Sequence, residues 1–270
     1  MKRFIICCVW SLLMLCPLSA WSEITQNDRL LQRPEWDGAV VQKNWVQGEL
    51  RFQKWDHGDG DSDANVWSLG PTFITSLPNL RSLELGGRLN LMSFDPDYGE
   101  TENGISDVDV WGKYQILKDT RYMLSLGALL TLPTGSDSII HPRSSGAVNI
   151  EFFAAGRFNA SPQLAIVAHC GLRKNSDTDI KINRVKTEID GEMQMEIGGG
   201  VIYEASSQLN LLGELNIATE PYDDFDNDIE LTGGVEYKLQ QDLSLRGGLG
   251  IGLDDGAPEY ELLFGCVYMF

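Results

Sequence analysis

Charged residues that stand alone inside apolar segments are the first candidates for chemistry in this sequence. Glu261 lies between Tyr260 and Leu262, for example, and Arg246 follows Leu245. Charges enclosed in this way must be paired or solvated, so they either form a structural salt-bridge network or line a polar constriction that selects solutes. The residues that follow this pattern, and that we assign to one polar interior, are Glu49, Arg51, Glu84, Arg88, Asp109, Lys113, Glu151, Arg157, Glu196, Glu214, Glu230, Glu236, Lys238, Arg246 and Glu261.

Catalytic chemistry has weaker support. Beyond the N-terminal leader the histidines are His57, His141 and His169, and only His169 falls inside a predicted strand, where it points inward beside an outward Cys170. No combination of Ser, His and acid stands out by its spacing. We therefore expect a protein without catalytic residues or cofactors, and we keep a barrel-embedded lipid hydrolase as an alternative.

Two acidic runs invite a calcium interpretation, because hard cations bind oxygen ligands. They lie at Asp59–Asp63 and Asp223–Asp228. Ala64 stands where a calcium loop of the helix-loop-helix type requires glycine, so that motif fails. We predict solvated surface loops and no metal site.

The elements that must position these charges are strands, because apolar residues recur at every second position. In the last segment the apolar face includes Phe264 and Tyr268, and the opposite face begins with Glu261. About twelve segments share this pattern: Trp45–Lys54, Val66–Thr75, Leu83–Met92, Val108–Ile116, Tyr122–Leu132, Ala147–Phe158, Leu164–Arg173, Met193–Tyr203, Leu209–Ile217, Ile229–Leu239, Leu243–Leu253 and Glu259–Phe270.

The connections between these segments alternate in length. Tight turns such as Ser206-Ser207 alternate with longer, mostly acidic loops such as Lys174–Asp190. This asymmetry is typical of outer-membrane barrels, and a lipid environment requires every strand to be paired in a closed sheet. We predict an all-β fold, a transmembrane antiparallel β-barrel of about 12 strands with short periplasmic turns and longer extracellular loops. A secreted β-sandwich or lipocalin-like barrel is the alternative.

The first 22 residues predict a secretory signal peptide. Lys2 and Arg3 precede an apolar run that ends before Ser19, and we place cleavage after Ser22. All 39 acidic residues remain after cleavage while two of the 21 basic residues leave, so the net charge changes from −18 to −20. An anionic chain of this kind argues against nucleic acid as a partner. The expected location is the outer membrane of a Gram-negative bacterium.

The predicted domains are therefore the signal peptide at 1–22, an N-terminal segment at 23–44 and the barrel at 45–270. The segment lacks alternation and contains Pro34 and Gly38. It forms either a periplasmic tether, which we favour, or a plug that folds into the lumen. The two remaining cysteines, Cys170 and Cys266, both face outward on separate strands and should stay unpaired.

Glycines are frequent on the predicted inner face. They are Gly198, Gly200, Gly234, Gly248, Gly250 and Gly252. They could leave room for a ligand, or they could relieve strain in a strongly curved sheet, and we favour the second explanation.

Three stretches carry a family resemblance that runs from about Trp45 to Phe270. They are Ser106–Leu117, the strand and loop Leu126–Asp137, and the last two strands with the loop Leu253–Pro258. With these motifs the chain resembles the outer-membrane proteins named for a MetA pathway of phenol degradation, a transporter-like family. Within the second stretch, Pro133 should end strand pairing and Gly135 should permit a turn.

The resemblance implies a channel for passive passage of a small solute, and the family name suggests a hydrophobic or aromatic one. A structural or adhesive barrel that acts through its extracellular loops is a further alternative. Besides the solute, the expected partners are outer-membrane lipid and the barrel-assembly machinery, which would recognise the strand that ends in Phe270.

Overall fold

The computed structural model describes residues 28–41, 43–55, 63–77, 79–97, 100–135, 146–182, 185–223 and 225–270. Its regular structure is all β. The strands are β1 (Trp45–Trp55), β2 (Ala64–Leu77), β3 (Leu80–Arg88), β4 (Leu91–Pro96), β5 (Glu102–Ile105), β6 (Val108–Lys118), β7 (Tyr122–Leu132), β8 (Asn149–Ser161), β9 (Leu164–Lys174), β10 (Thr178–Ile182), β11 (Val185–Ile189), β12 (Met193–Ser206), β13 (Leu209–Ala218), β14 (Asp228–Gln240), β15 (Leu243–Gly252) and β16 (Tyr260–Met269).

These segments form twelve barrel strands. β3 and β4 both pair with β2 and form one strand that is interrupted at Leu89 and Asn90. β5 and β6 form the next strand, interrupted at Ser106 and Asp107, because β5 pairs with β4 and β6 pairs with β3. The barrel closes because β1 pairs with β2 on one side and with β16 on the other, all antiparallel. The predicted fold class and strand number are confirmed.

Side chains alternate between the two faces of the wall. Along β16, Glu261 and Val267 are buried in the lumen, whereas Phe264 and Tyr268 are 59% and 50% exposed on the outside. Exposed Leu, Ile, Val and aromatic residues repeat on the outer face of strand after strand. Such a surface would be unstable in water and suits a hydrocarbon environment, in which the strands of a closed barrel satisfy one another's backbone hydrogen-bonding groups.

The connections follow the predicted asymmetry. Two-residue turns join β8 to β9, β12 to β13 and β14 to β15 at one end of the barrel. The opposite end carries the longer connections. One of them contains the β10–β11 hairpin, whose two strands pair with each other and form a sheet separate from the barrel. The sequence pattern did not predict this hairpin. Within the described residues no helix is long and apolar enough to cross a membrane.

The interrupted part of the wall is anchored by Asp107. Its buried carboxylate accepts hydrogen bonds from the backbone N–H groups of Gly135 (2.8 Å) and Gly146 (3.0 Å). Gly146 has a φ of +66°, a conformation that favours glycine. The Thr134 hydroxyl binds the N–H of Val108 at 3.0 Å. Two of the stretches quoted for the family resemblance therefore contact each other, and β7 ends before Pro133 as predicted.

Candidate functional site in the barrel lumen

The lumen contains a piece of the chain itself. Residues 28–41, here called the lumen segment, precede β1, and every one of them except Arg33 is buried. Asp28 lies near Lys238 (3.4 Å) at the short-turn end of the barrel, and Arg33 reaches Glu196 nearer the other end. A hydrogen bond from Trp36 N–H to the Arg33 carbonyl (3.0 Å) closes the turn between the two arms. The segment thus enters, turns and returns within the lumen.

Lys113 on β6 holds the returning arm. Its buried ammonium group donates to the backbone carbonyls of Glu35 (3.1 Å), Asp37 (2.9 Å) and Ala39 (3.0 Å), and it pairs with Glu84 at 2.8 Å. Glu84 also accepts the N–H of Val41 at 2.9 Å. One buried ion pair of the wall therefore satisfies four backbone groups that the segment, having no regular structure, cannot pair internally.

A second wall contact fixes the middle of the returning arm. The hydroxyl of Ser125 and the amide of Gln115 donate to the Gly38 carbonyl at 2.8 and 3.0 Å. A Cβ at Gly38 would lie 2.6 Å from the backbone nitrogen of Arg157, so only glycine allows this close approach. Arg157 itself binds the carboxylate of Asp37 at 2.8 Å.

Gln32 connects the entering arm to the acidic side of the wall. Its amide nitrogen donates to Glu230 (2.8 Å) and Glu261 (2.6 Å), and its amide oxygen accepts from Arg51 (2.8 Å). Arg51 also pairs with Glu261 at 3.0 Å and Glu49 at 2.8 Å. Two carboxylates share the Arg51 guanidinium here, and the neutral amide of Gln32 completes the hydrogen bonding by joining Glu230 to them.

A further network surrounds the turn. Arg33 pairs with Glu196 at 2.8 Å, and Arg88 pairs with Asp109 at 2.8 Å. Both guanidinium groups also approach Glu35, at 3.7 and 3.8 Å. On the wall beside them, Arg173 lies 3.6 Å from Glu151 and 3.9 Å from Glu196. The turn of the lumen segment is therefore held by charges from both the segment and the wall.

Trp36 is the main apolar anchor of the segment. It is 2% exposed and packs in a cluster with Trp111, Leu129 and Phe153 of the wall. The His169 ring meets it edge-on at 4.2 Å. His169 faces the lumen beside an exposed Cys170, as predicted, and its described contact with the segment gives it a packing role.

All of the charged residues that the sequence assigned to the interior lie on the lumen face. Most are buried, whereas Glu49, Arg88, Asp109 and Lys238 retain between 10% and 20% side-chain exposure. Residues 28–41 lie inside the lumen, where a plug would place them. The periplasmic tether that we favour from the sequence would place them outside the barrel. Residues of the lumen that the sequence reasoning missed are Asp28, Arg29, Gln32, Arg33, Glu35, Trp36, Asp37, Arg173 and Glu204.

A signal for the buried segment was present in the sequence. Leu263 and Val267 occupy the inner face of β16, and Trp111 and Leu129 occupy the inner faces of β6 and β7, although a water-filled lumen would favour polar residues there. All four pack against the segment or belong to its clusters. Apolar residues in the inward phase indicated an apolar partner inside the barrel.

Among the described residues, no group of three or more His, Cys, Asp or Glu side chains is arranged to hold a metal ion. His57, His141, most of the first acidic run and Asp224 of the second lie outside the described residues.

A closed twelve-stranded barrel with an apolar outer face and a charged lumen defines an outer-membrane β-barrel, and it places the protein in the outer membrane of a Gram-negative bacterium. An outer-membrane channel from Pseudomonas putida F1, described as a COG4313 channel, superposes with a TM-score of 0.73 at 13% identity. The match covers 89% of this chain and 100% of that one. These values show a shared fold.

Two further solved structures share the fold less closely. The KdgM porin in complex with disordered oligogalacturonate has a TM-score of 0.53 at 12% identity, over 84% of this chain and 99% of that one. The transport unit of the Escherichia coli autotransporter AIDA-I has a TM-score of 0.55 at 12% identity, over 96% and 94%. Neither a protein-family model nor a curated protein sequence matches this chain.

Proposed function

We propose that this protein is an outer-membrane channel whose lumen segment acts as a displaceable plug. The burial of residues 28–41 among wall charges carries the proposal. The segment precedes β1 and contributes no strand to the barrel, so it can move while the ladder between β1 and β16 stays closed. A purely structural or adhesive barrel does not require a lumen segment that can move independently of the strands.

A small hydrophobic or aromatic solute is the proposed cargo. An apolar cluster of Trp55, Val66 and Met92 lies on the inner face of the wall where β1, β2 and β4 meet. Outside the same strands, Trp67, Leu69 and Leu91 line an open groove of about 470 Å³. Apolar side chains on both faces of one wall favour an apolar solute that exchanges with the bilayer.

The transporter-like family named for a MetA pathway of phenol degradation remains our proposed assignment, on the motifs around Asp107 and Pro133. We also propose that the exposed Phe270, which stacks on Tyr268 with ring centroids 5.9 Å apart, belongs to the signal read by the barrel-assembly machinery. A lipid hydrolase is not favoured, because His169 is packed against Trp36.

Single-channel conductance in planar bilayers tests the proposal. The mature chain should show little or no conductance. A variant lacking residues 23–41 keeps Asn44, whose N–H and carbonyl bind Phe270 at 3.0 Å each, and should show large, steady openings. A matched control, in which residues 178–189 of the β10–β11 hairpin are replaced by two glycines, should behave like the mature chain.

Two results would contradict the proposal. Silence in the truncated variant would mean that the wall side chains fill the lumen by themselves, which favours a structural or adhesive barrel. Equal, large conductance in all three proteins would mean that the lumen segment does not block passage. For the cargo, entry of an apolar naphthylamine dye into lipopolysaccharide-containing vesicles should be faster with the protein than without it, whereas entry of a disaccharide should not.

A further inference from the structure

An apolar slot interrupts the charged wall beside Leu30 and Leu31. Its floor consists of Gly200, Gly234 and Gly248 on the inner faces of β12, β14 and β15. A Cβ at Gly234 would overlap with Cδ1 of Leu31, one at Gly248 would lie 2.7 Å from the same atom, and one at Gly200 would lie 3.1 Å from Cδ2 of Leu30. The sides of the slot are Ala165, Val167, Ile202, Leu212 and Leu263, all of them buried.

The structure gives a reason for glycine at three of the inner-face positions, Gly200, Gly234 and Gly248. We favoured relief of sheet curvature as the reason for glycine on the inner face. At Gly248 the absent side chain makes space that Leu31 fills, whereas at Gly200 and Gly234 a Cβ would meet both a leucine of the segment and a carbonyl oxygen of the neighbouring strand, that of Gly213 or Gly247. The wall is therefore shaped for branched aliphatic groups, because any larger wall residue would exclude them.

The main chain of the same two residues is also recognised. The buried carboxylate of Glu214 accepts hydrogen bonds from the N–H groups of Leu31 and of Gln32, the latter at 3.1 Å. The buried guanidinium of Arg246 donates to the carbonyls of Arg29 and of Leu30, the latter at 3.0 Å. Charged hydrogen bonds in a water-poor site are strong and depend on geometry.

The slot thus combines a pocket for an aliphatic side chain, an acceptor for amide N–H groups and a donor for carbonyl oxygens. These are the three components that bind an apolar peptide unit.

We propose that this slot is a binding site for short leucine-like amides, such as apolar dipeptides, and that Leu30 and Leu31 occupy it when the channel is closed. The inference rests on the proposed function, because it names the solute class that competes with the plug. A tethered occupant has an effective concentration in the millimolar range, so a free ligand binds well only when the occupant is weakened.

Calorimetric titration of the full mature chain in detergent tests this site without relying on flux. The probes are acetyl-leucyl-leucine amide and acetyl-alanyl-alanine amide. In a Leu31→Ala variant the leucyl probe should bind saturably. It should bind at least about tenfold more tightly than the alanyl probe, since each lost methylene lowers the burial energy. The unaltered chain should bind the leucyl probe at least about tenfold more weakly than the variant does.

Two wall substitutions in the Leu31→Ala background locate the site. Gly248→Ala, whose Cβ would meet the leucine side chain before any wall atom, should abolish binding of the leucyl probe, whereas Gly233→Ala, where a Cβ meets no atom within 4 Å, should leave it unchanged. Glu214→Gln keeps the shape and should weaken binding about tenfold or more through loss of the charged acceptor. The heat-dependent electrophoretic mobility of each variant verifies that the barrel is closed.

Absence of saturable binding to the Leu31→Ala variant would overturn the inference, as would equal affinity for both probes or an unchanged affinity after Gly248→Ala. The leucines would then be packing groups of the plug only. These outcomes are separate from failure of the channel proposal, which would appear as silence of the truncated variant in bilayers while calorimetric binding persists.

Discussion

Lys113 shows how single side chains hold irregular backbone inside the barrel. Three carbonyls of the lumen segment converge on its ammonium group, and Glu84 supplies the counter-charge. Neither side chain is exposed to solvent. Removing one member of a buried pair leaves an uncompensated charge, which is more costly than replacing both.

A Lys113→Met substitution should therefore release the returning arm. We expect a local loss of about 1–3 kcal/mol, because Arg29 lies 3.4 Å from Glu84 and retains part of the counter-charge. The loss would appear as faster hydrogen exchange at the amide of Val41, which binds Glu84. Lys118→Met, at an exposed position of the same strand, is the control and should change nothing. A double substitution with Glu84→Gln should cost less than Lys113→Met alone. Unchanged exchange at Val41 would show that the pair does not hold the segment.

The interrupted strands β3–β4 and β5–β6 give one part of the wall an irregular backbone that the other strands lack among the described residues. The interruptions at Leu89–Asn90 and Ser106–Asp107 lie side by side, linked by a hydrogen bond from Ser106 N–H to the Asn90 carbonyl (2.8 Å). Asp107 uses its carboxylate to hold the two ends of the connection that follows β7. The Asp107 carboxylate thus supplies two of the hydrogen bonds that attach this loop to the wall, and the Thr134 hydroxyl supplies another.

An Asp107→Ala variant should detach these loop ends. Each hydrogen bond to a carboxylate contributes about 1.5–3 kcal/mol, so the amides of Gly135 and Gly146 should exchange roughly tenfold faster or more. Amides in the middle of β6 and β7 should be unaffected. Asp119→Ala at the short-turn end serves as the matched control. Protection that persists at both glycines in the Asp107→Ala variant would contradict the role of the carboxylate.

The strand pattern was readable from the sequence because each barrel strand meets lipid on one face, which enforces alternation along its whole length. The bounds of Tyr122–Leu132 match those of β7 for this reason. The position of residues 28–41 was not readable in the same way, since their contacts are with strands far along the chain and impose no period. The wall charges could be assigned to the lumen, but their partners, such as Gln32 for Glu230, could not.

Across the whole molecule, the lumen wall carries more acidic than basic side chains. Among the described wall residues, the acids are Glu49, Glu84, Asp109, Glu151, Glu196, Glu204, Glu214, Glu230, Glu236 and Glu261, and the bases are Arg51, Arg88, Lys113, Arg157, Arg173, Lys238 and Arg246. A narrow pore lined in this way attracts cations and repels anions.

The variant lacking residues 23–41 should accordingly be cation-selective. In a potassium chloride gradient its reversal potential should lie toward that of potassium, and high salt should reduce the preference through screening. Glu214→Gln combined with Glu230→Gln in the same truncated chain should shift the reversal potential toward zero. Anion preference in the truncated protein would show that the acidic wall does not control permeation.

The closure of β1 on β16 also determines the order in which this molecule can be assembled. The lumen segment belongs to the first part of the chain, but its contacts include Arg246 on β15 and, through Gln32, Glu261 on β16. These partners reach the lumen only when the last hairpin has formed. The lumen segment precedes every barrel strand in the chain, and it therefore completes its contacts only after the last barrel strands have paired.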